Sequence, residues 1–336
     1  MIEIRAEVVV WPVKKPISIA RGTWSKAETI VVSVSGDEHT GRGECTSGIL
    51  TGVSADEIIS TIDGVRSNLE KNLNRVHLAK LLPPCPARNA LDCAIADYEC
   101  KTRDVHPSVL LDVPFPIPVR RIATIPLGLS DDEVLEMLGH SSGASAIKLK
   151  VNGWKNFEKI AIIRKTLPEH KILIDANESW DNHDYISLFS AAEVEGVSLI
   201  EQPFSKEKEC VLTSFPRAVP VCVDETFSSS EDLPRASEIY DFINIKLDKA
   251  GGITEAVKIC KLASQFGLGV MVGCNLSSSL GIAPSILLGT YCAFVDLDSP
   301  TFLAKDYEND IFNGTFTLMP SFDELWGGRV PKNNTG

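Results

Sequence analysis

Short apolar segments recur along the last two thirds of the chain, and each but the last precedes a helix-sized gap. The eight segments are 122–127, 146–150, 171–175, 197–201, 221–224, 242–246, 268–273 and 294–297. In the gap between Asn156 and Leu167, apolar residues recur every third or fourth position, as on one face of a helix. Eight strands and seven helical gaps predict a modified TIM barrel of the (β/α)7β type. A doubly wound open sheet is the alternative, but it usually has fewer units and often a glycine-rich first turn, which this sequence lacks.

The first third of the chain has a different pattern. Alternating apolar residues predict strands at 2–11 and 29–35, and helical spacing predicts helices at 55–73 and 87–102, which together indicate an α+β unit. The segment that follows has Pro114, Pro116 and Pro118 and suits neither a helix nor a central strand. We therefore expect an α+β domain at 1–115, a barrel domain at 116–305, and a C-terminal segment at 306–336 that packs back on the first domain.

Composition and charge exclude several classes of partner. The 336 residues include 33 basic and 45 acidic side chains, for a net charge of −12, so nucleic acid and anionic membranes are poor partners. The sequence has no segment of about 18 apolar residues, and its first residues alternate charged and apolar positions, so we expect neither a membrane span nor export. Its nine scattered cysteines, without a C-x-x-C pair, favour a reducing cytoplasm. A homo-oligomer remains open.

Three carboxylates end three consecutive predicted strands. Asp175, Glu201 and Asp224 are each one βα unit from the next, and the C-terminal strand ends of such a barrel form a single rim. Three acids that share one rim repel each other unless a cation lies between them. Oxygen ligands suit Mg²⁺ or Mn²⁺, so the set predicts a divalent metal site. The alternative is that each acid caps the helix after its strand.

Lysines flank these acids. Lys148 and Lys150 are two apart on the second strand and face the same side of it, while Lys246 ends the sixth strand, across the barrel. Two lysines on opposite sides of a metal-bound substrate can remove and return a proton from opposite faces, as a stereochemical inversion requires. The alternative, that the lysines are surface charges beyond the strand ends, fits Lys249 and Lys305 well.

The ordered series of motifs resembles the enolase superfamily, in its muconate-lactonizing subgroup, and within it the dipeptide epimerases. The stretches that carry the resemblance are IKLK (147–150), IDANESW (174–180), IEQP (200–203), VDET (223–226), NIKLDKAGGITEA (244–256), DLDSPTFLAKD (296–306) and, in the first domain, ARNALDCAIADYE (87–99). The resemblance spans nearly the whole chain, and it implies that the α+β domain caps the mouth of the barrel.

The resemblance also implies roles for individual residues. The metal ligands for one Mg²⁺ would be Asp175, Glu201 and Asp224, and the two acid/base catalysts would be Lys150 and Lys246. The substrate-binding residues would be Thr124, Lys148, Cys274, Asp296 and Asp298.

The reaction implied by the resemblance inverts the α-carbon of the C-terminal residue of a dipeptide, with L-Ala-D/L-Glu from cell-wall recycling as the expected substrate. Proton transfer by two lysines would pass through an enediolate that the metal stabilises. A lysine base must be partly neutral near pH 7, so we expect a neighbouring cation to lower its pKa. Two apart on the eighth strand, Asp296 and Asp298 can both face the mouth and bind the free α-ammonium group.

Two regions of the sequence do not decide which substrate the protein prefers. In GCNLSSSLGIA (273–283), Asn275 and Ser277 replace the Met and Glu that are frequent in the subgroup. In the loops expected to close the mouth, Arg21 is a candidate partner for a glutamate side chain. In contrast, Trp24, Ile49 and Leu50 favour a larger or less acidic one, as in an epimerase for hydrophobic dipeptides.

Two other functions remain as alternatives. A cycloisomerase or an o-succinylbenzoate synthase would share the scaffold, but neither substrate carries the ammonium group that Asp296 and Asp298 would bind. A non-catalytic barrel would be expected to lack a metal ligand or a catalytic lysine, and this chain has all five residues.

Overall fold

A computed structural model describes residues 1–19, 22–48, 51–308, 311, 315–318 and 325–328 of the chain. Its strands are β1 Glu3–Ile19, β2 Gly22–Gly36, β3 His39–Thr46, β4 Val119–Arg120, β5 Ala123–Ile125, β6 Ala146–Lys150, β7 Lys171–Asp175, β8 Leu199–Glu201, β9 Val221–Val223, β10 Phe242–Ile245, β11 Gly269–Gly273, β12 Phe294–Asp296 and β13 Thr317–Leu318.

The α-helices are α1 Ala55–Lys71, α2 Arg75–Leu81, α3 Pro86–Arg103, α4 Pro107–Leu110, α5 Asp131–Gly139, α6 Lys159–Thr166, α7 Tyr185–Val194, α8 Leu233–Ile239, α9 Leu247–Ala250, α10 Ile253–Ala263 and α11 Ser279–Ile282. Short 3-10 segments lie at Glu209–Thr213, Ser230–Asp232, Ser264–Phe266, Ala283–Tyr291 and Ser299–Phe302. Within this described part of the chain, no helix is long and apolar enough to cross a membrane.

The N-terminal domain is an antiparallel sheet of order β1-β2-β3 packed against helices α1 to α3. Helix α1 begins at a capping box, in which Ser54 and Glu57 satisfy each other's backbone N–H groups. Helix α3 is buried along nearly its whole length because β3 lies across it. Gly41 and Gly43 allow this approach, since a Cβ on either glycine would overlap the backbone of α3.

The barrel consists of eight parallel strands in the order β12-β11-β10-β9-β8-β7-β6-β5. A hydrogen bond of 2.9 Å from Ile122 N to Val295 O connects its two ends, so the sheet is nearly closed. The outward-facing residues join the helices in the main hydrophobic core, and a smaller cluster around Met271 and Leu173 fills the lower interior. The predicted barrel with an N-terminal α+β domain is therefore confirmed.

The eight predicted barrel strands agree with the structure in number and order, whereas in the N-terminal domain strand β3 and helix α2 were not predicted. Strands β6 and β7 have the predicted bounds, and the other barrel strands are shorter by one to three residues because the hydrogen-bonded ladder does not reach their outermost residues. The first hairpin is longer than predicted: β1 continues through the polar stretch after Trp11 to Ile19 because β2 pairs with it.

The segment after the barrel returns to the N-terminal domain where the structure describes it. Trp326 is fully buried and donates from Nε1 to Cys93 O at 2.9 Å, while Gly327 N donates to Asp97 Oδ1 at 2.6 Å. The division at residues 115 and 305 stays a prediction.

Candidate active site

One cavity lies at the C-terminal ends of the barrel strands, under the first hairpin of the N-terminal domain. Eight of the ten predicted site residues line it: Thr124, Lys148, Lys150, Asp224, Lys246, Cys274, Asp296 and Asp298. The other two, Asp175 and Glu201, lie below its floor and are fully buried. The structure therefore brings all ten residues to one mouth, although the chain separates the first from the last by most of the barrel.

The three candidate metal ligands are adjacent because their strands pair in register. Asp175 is opposite Glu201 in the β7–β8 ladder, and Asp224 follows directly after β9. Lys148 lies between the acids: its Nζ is 2.9 Å from Asp175 Oδ2 and 2.6 Å from Glu201 Oε2. Its buried position also places Nζ 2.6 Å from Asp296 Oδ2.

These residues fit a hard divalent cation by the chemistry of their donors. The set is three carboxylates with oxygen donors only, as Mg²⁺ prefers. Within the described residues Glu201 Oε2 accepts no hydrogen bond, although Lys148 Nζ is close to it. In the same part of the chain, no group of three or more His, Cys, Asp or Glu side chains is already spaced around a metal position. Ammonium groups lie against the acids instead, so Asp175, Glu201 and Asp224 would hold the metal after these groups move aside.

The two candidate catalytic lysines approach the cavity from opposite sides. Lys150 ends β6 and Lys246 follows β10, and β6 and β10 are separated by three strands in the eight-stranded sheet. Lys150 Nζ donates to Asp175 Oδ2 at 2.5 Å, and Lys246 Nζ donates to Asp224 Oδ2 at 2.7 Å. Each lysine is thus held by the carboxylate of a neighbouring strand, with its ammonium group at the cavity.

Burial and charge move the pKa values of this cluster in opposite directions. Burial raises the pKa of Glu201 to about 7, and the neighbouring Asp175 adds to the effect. The pKa values of Asp175 and Asp224 are lowered despite their burial, because two lysines face each of them. Burial would lower the pKa of Lys246, but Asp224 and Glu201 outweigh it and the pKa is raised. Asp224 thus stabilises the ammonium form of Lys246, and the expected lowering of a catalytic lysine's pKa by a neighbouring cation stays a prediction.

The candidate ammonium site contains two carboxylates. Asp296 ends β12 and is bound to Lys148, so it lies closer to the metal-binding acids than its place on the eighth strand suggests. Asp298 lies in the loop beyond β12 and accepts a hydrogen bond of 3.0 Å from Thr124 N. Burial, together with the charge of Asp296, raises the pKa of Asp298 to about 6. Cys274 donates to Asp296 O at 3.4 Å and so supports the backbone of this site.

Sequence reasoning assigned Lys249 to the surface, and that assignment is wrong. Lys249 Nζ is 2.5 Å from Asp224 Oδ1 and also donates to Asp224 O, and the residue lines the cavity. The signal was the spacing: Lys249 is three residues after Lys246, and the short helix α9 turns both toward Asp224. Lys305 is exposed, as predicted.

Two further cavity residues were missed. Asn177 accepts from Lys150 Nζ at 3.1 Å through Oδ1 and donates to Glu225 Oε1 at 2.9 Å through Nδ2. Both belong to motifs that drew attention only to their acids, since Asn177 is two residues after Asp175 and Glu225 directly follows Asp224.

The contacts of Asn275 and Ser277 explain the two unusual residues of the loop at 273–283, after β11. Asn275 Nδ2 donates to Asp248 Oδ2 at 2.9 Å, and Asp248 also accepts from Asn89 Nδ2 at 2.8 Å. Because Asn89 belongs to α3, Asp248 joins the N-terminal domain to the barrel loop at the mouth. Ser277 is buried and donates from its backbone to Ser299 Oγ at 2.6 Å.

The loops expected to recognise the substrate side chain are described only in part. Trp24 lines the cavity beside Ile17, Leu276 and Phe302. The predictions for Arg21, Ile49 and Leu50 fall outside the described residues.

Comparison with known proteins gives consistent matches. The sequence model "Enolase C-terminal domain-like" matches residues 132–319, and the model "Mandelate racemase / muconate lactonizing enzyme, N-terminal domain" matches residues 1–111. The chain is 34% identical to L-Ala-D/L-Glu epimerase of Escherichia coli over 303 residues, which cover 89% of this chain and 93% of that protein. It is 32% identical to N-acetyl-D-glutamate racemase of a Pseudoalteromonas species, covering 75% of this chain and 79% of the relative.

A solved structure with a similar fold comes from Agrobacterium tumefaciens. It is described as an enolase family member with homology to dipeptide epimerases, containing sodium and L-Ala-L-Glu. The TM-score is 0.92 at 32% identity, and the alignment covers 97% of this chain and all of the other.

Proposed function

The chain belongs to the enolase superfamily, in its mandelate racemase/muconate lactonizing enzyme family, and from this membership we propose that it is a magnesium-dependent dipeptide epimerase. It inverts the α-carbon of the C-terminal residue of a dipeptide, with L-Ala-D/L-Glu, a product of cell-wall turnover, as the substrate. The observation that carries the proposal is the pair Lys150 and Lys246 on opposite sides of one cavity, above three buried carboxylates.

The metal site supports the chemistry of proton removal. Asp175, Glu201 and Asp224 would hold the cofactor Mg²⁺, which would supply positive charge to stabilise a negatively charged substrate carboxylate, as in the enolase superfamily generally. Lys148 adds a positive charge beside the same carboxylates.

The two lysines exchange one proton with the α-carbon. The lysine on one side accepts the α-proton as a neutral amine and becomes an ammonium group. The ammonium group of the other lysine then donates its proton to the opposite face of the same carbon. The product has the inverted configuration and the same number of protons, and the roles of Lys150 and Lys246 are reversed for the reverse reaction.

The substrate ammonium group is the feature that separates a dipeptide from the other substrates of this scaffold. Asp296 and Asp298 line the cavity and provide two carboxylates for it, and Thr124 N fixes the orientation of Asp298. An N-acetylated amino acid, a cycloisomerase substrate and a succinylbenzoate precursor all lack this charge. The proposal therefore ranks dipeptides above these substrates.

A dipeptide with a hydrophobic C-terminal residue is the second candidate substrate. The side of the cavity under the first hairpin is apolar, where Trp24 and Ile17 pack with Leu276 and Phe302. Such a surface favours an aliphatic or aromatic side chain over a glutamate carboxylate.

The cysteines and the net charge bear on the cellular compartment and the partners. All nine cysteines are free thiols, which supports a reducing cytoplasm as the place of action. The net charge of −12 disfavours nucleic acid as a partner. Homo-oligomerisation stays a prediction.

Isotope exchange tests this function. With Mg²⁺ in D₂O, L-Ala-L-Glu should gain one deuterium and convert to L-Ala-D-Glu, measured by mass spectrometry and chiral chromatography. Lys150→Ala and Lys246→Ala should each abolish inversion, whereas Lys305→Ala, at an exposed lysine, should not.

Two further substrates make the test decisive. Faster turnover of L-Ala-L-Leu than of L-Ala-L-Glu would select the hydrophobic candidate. Racemisation of N-acetyl-glutamate without exchange on any dipeptide would contradict the proposal.

A further inference from the structure

A chain of two hydrogen bonds connects Lys150 to a second residue pair in the cavity. Lys150 Nζ donates to Asn177 Oδ1 at 3.1 Å, and Asn177 Nδ2 donates to Glu225 Oε1 at 2.9 Å. Asn177 is 6% exposed, and all three residues line the cavity. Asn177 therefore uses both ends of its amide inside the site.

The order of donors and acceptors in this chain has a direct consequence. An ammonium group only donates hydrogen bonds and an ionised carboxylate only accepts them, whereas an amide offers an oxygen on one side and an NH₂ group on the other. With Glu225 facing the NH₂ group, the oxygen of Asn177 must face Lys150. A neutral amide at 225 would permit the reverse orientation, in which two donors meet at Lys150.

A purely conformational explanation of Asn177 must be separated from this one. Asn177 has φ 42° and Glu178 has φ 66°, a region that asparagine tolerates better than most residues. The backbone N–H of Asn177 also donates to Asp175 Oδ1 at 3.1 Å. Glycine adopts this backbone freely and keeps that N–H group, so Asn177→Gly removes only the amide side chain.

We propose that Asn177 and Glu225 are positioning residues for one catalytic lysine: Glu225 fixes the orientation of the Asn177 amide, and the amide oxygen, together with Asp175, fixes the direction of the Lys150 ammonium group. The inference rests on the proposed function, since it assigns Lys150 to one face of the substrate. Lys246, on the opposite side of the barrel, is oriented by Asp224 at 2.7 Å. Loss of the Asn177 amide should therefore impair proton transfer at only one face of the α-carbon.

Deuterium exchange measured from each epimer separately tests whether Asn177 acts on Lys150 and not on Lys246. Each lysine removes the α-proton from one epimer, and Lys150→Ala identifies the epimer that Lys150 serves. Asn177→Gly should slow deuterium exchange from that epimer by about tenfold to a hundredfold, the range expected for a misaligned acid/base group, and should change exchange from the other epimer by less than about threefold. Inversion should fall in both directions, because it needs both lysines.

Swapping the acid and the amide between positions 177 and 225 tests whether the lost rate can be restored. Asn177→Asp alone places two carboxylates against each other, and Glu225→Gln alone permits the wrong amide orientation. Each single variant should therefore slow deuterium exchange from the epimer that Lys150 serves. The double variant Asn177→Asp/Glu225→Gln restores an acceptor toward Lys150 and a donor between residues 177 and 225, with the same total charge. Its exchange rate from that epimer should be at least about tenfold higher than the rate of Asn177→Asp alone.

Binding of Mg²⁺ separates this role from damage to the metal site. Because the backbone bond to Asp175 remains, the rise in Tm on adding Mg²⁺ should be the same in Asn177→Gly as in the wild type. Wild-type rates in Asn177→Gly, equal losses from both epimers, or failure of the double variant to recover would overturn the inference. A wild-type enzyme that exchanges neither epimer of any dipeptide would overturn the proposed function itself, and this inference with it.

Discussion

At the scale of a single residue, Asp298 combines burial with a proposed binding role. Its carboxylate accepts from Thr124 N, lies near Asp296, and has a pKa raised to about 6 by burial and by that neighbour. The residue is thus ionised at neutral pH, where it can bind an ammonium group, and it loses its charge as the pH falls through 6.

Asp298→Asn should weaken dipeptide binding without disturbing the loop. The asparagine oxygen can still accept from Thr124 N, so the change removes mainly the charge. A charged hydrogen bond contributes about 1.5–3 kcal/mol, and KM for L-Ala-L-Glu should rise by about tenfold to a hundredfold with a smaller change in kcat. An unchanged KM would show that Asp298 does not bind the ammonium group.

The same residue predicts the acid limb of the pH profile. In the wild type, kcat/KM should fall as the pH decreases from 7 to 5, because Asp298 becomes protonated around pH 6. In Asp298→Asn this part of the decline should disappear, since the amide does not titrate. Stopped assays across this range, with the two proteins in the same buffers, measure the difference.

At the scale of elements, the contact between β3 and α3 depends on two glycines. A Cβ at Gly43 would overlap Ala90 O, so Gly43→Ala must separate the strand from the helix and should lower stability by about 1–3 kcal/mol. Gly64 lies in α1 and a Cβ there meets no atom within 4 Å. Gly64→Ala should instead stabilise the protein by about 0.5–1 kcal/mol. Thermal unfolding of the two variants should shift Tm in opposite directions.

The contact between β3 and α11 makes stability depend on pH. Glu44 is buried, accepts from Ser278 N at 2.9 Å, and has a pKa raised from 4.5 to about 7, mainly by burial. A carboxyl group whose pKa is higher in the folded state favours folding when protonated. Its contribution is fully present below pH 4.5 and is lost as the pH rises through 7.

Glu44→Gln should remove this dependence. Between pH 5 and pH 8, the free energy of unfolding of the variant should rise by about 2.5 kcal/mol relative to that of the wild type, since glutamine stays neutral and can keep both contacts to Ser278. Urea unfolding at several pH values measures it. Glu57→Gln, in the exposed capping box of α1, is the control and should leave the slope between these pH values unchanged.

At the scale of the whole molecule, the barrel gathers several ionised groups into one buried cluster, and a divalent cation should stabilise the fold. A metal that binds only the folded protein adds about 2.7 kcal/mol at a concentration 100 times its Kd. Mg²⁺ should therefore raise Tm and EDTA should lower it to the metal-free value.

Glu201→Gln tests whether this stabilisation comes from the proposed site. Glutamine keeps the oxygen that accepts from Asn244 Nδ2 at 2.9 Å but removes a ligand charge, so the Mg²⁺-dependent rise in Tm should be lost. In EDTA the variant lacks the negative charge that lies 2.6 Å from Lys148 Nζ, so its own metal-free Tm is the baseline for its Mg²⁺ response. A Mg²⁺ response equal to that of the wild type would place the metal elsewhere.

The sequence by itself predicted the barrel, and its strand-end residues together with the family resemblance predicted the ten candidate site residues. Strand-end residues such as Asp175 and Lys246 interrupt apolar runs at regular intervals, and a parallel barrel converts this regularity into a single rim. Parallel pairing leaves little freedom in which end of a strand faces the mouth, so the position of a polar residue in its strand was enough to predict its place.

Only the tertiary structure decided how these groups contact one another. Lys249 could not be assigned from its position after a strand, because a short helix turns it back onto Asp224. The link from Lys150 through Asn177 to Glu225 joins three different strand ends, and its direction depends on which amide atom faces which charge. The raised pKa of Lys246 likewise arises from the distance to Asp224. Such pairings depend on distances across the barrel, and apart from the three-residue spacing of Lys246 and Lys249 the pattern along the chain does not indicate them.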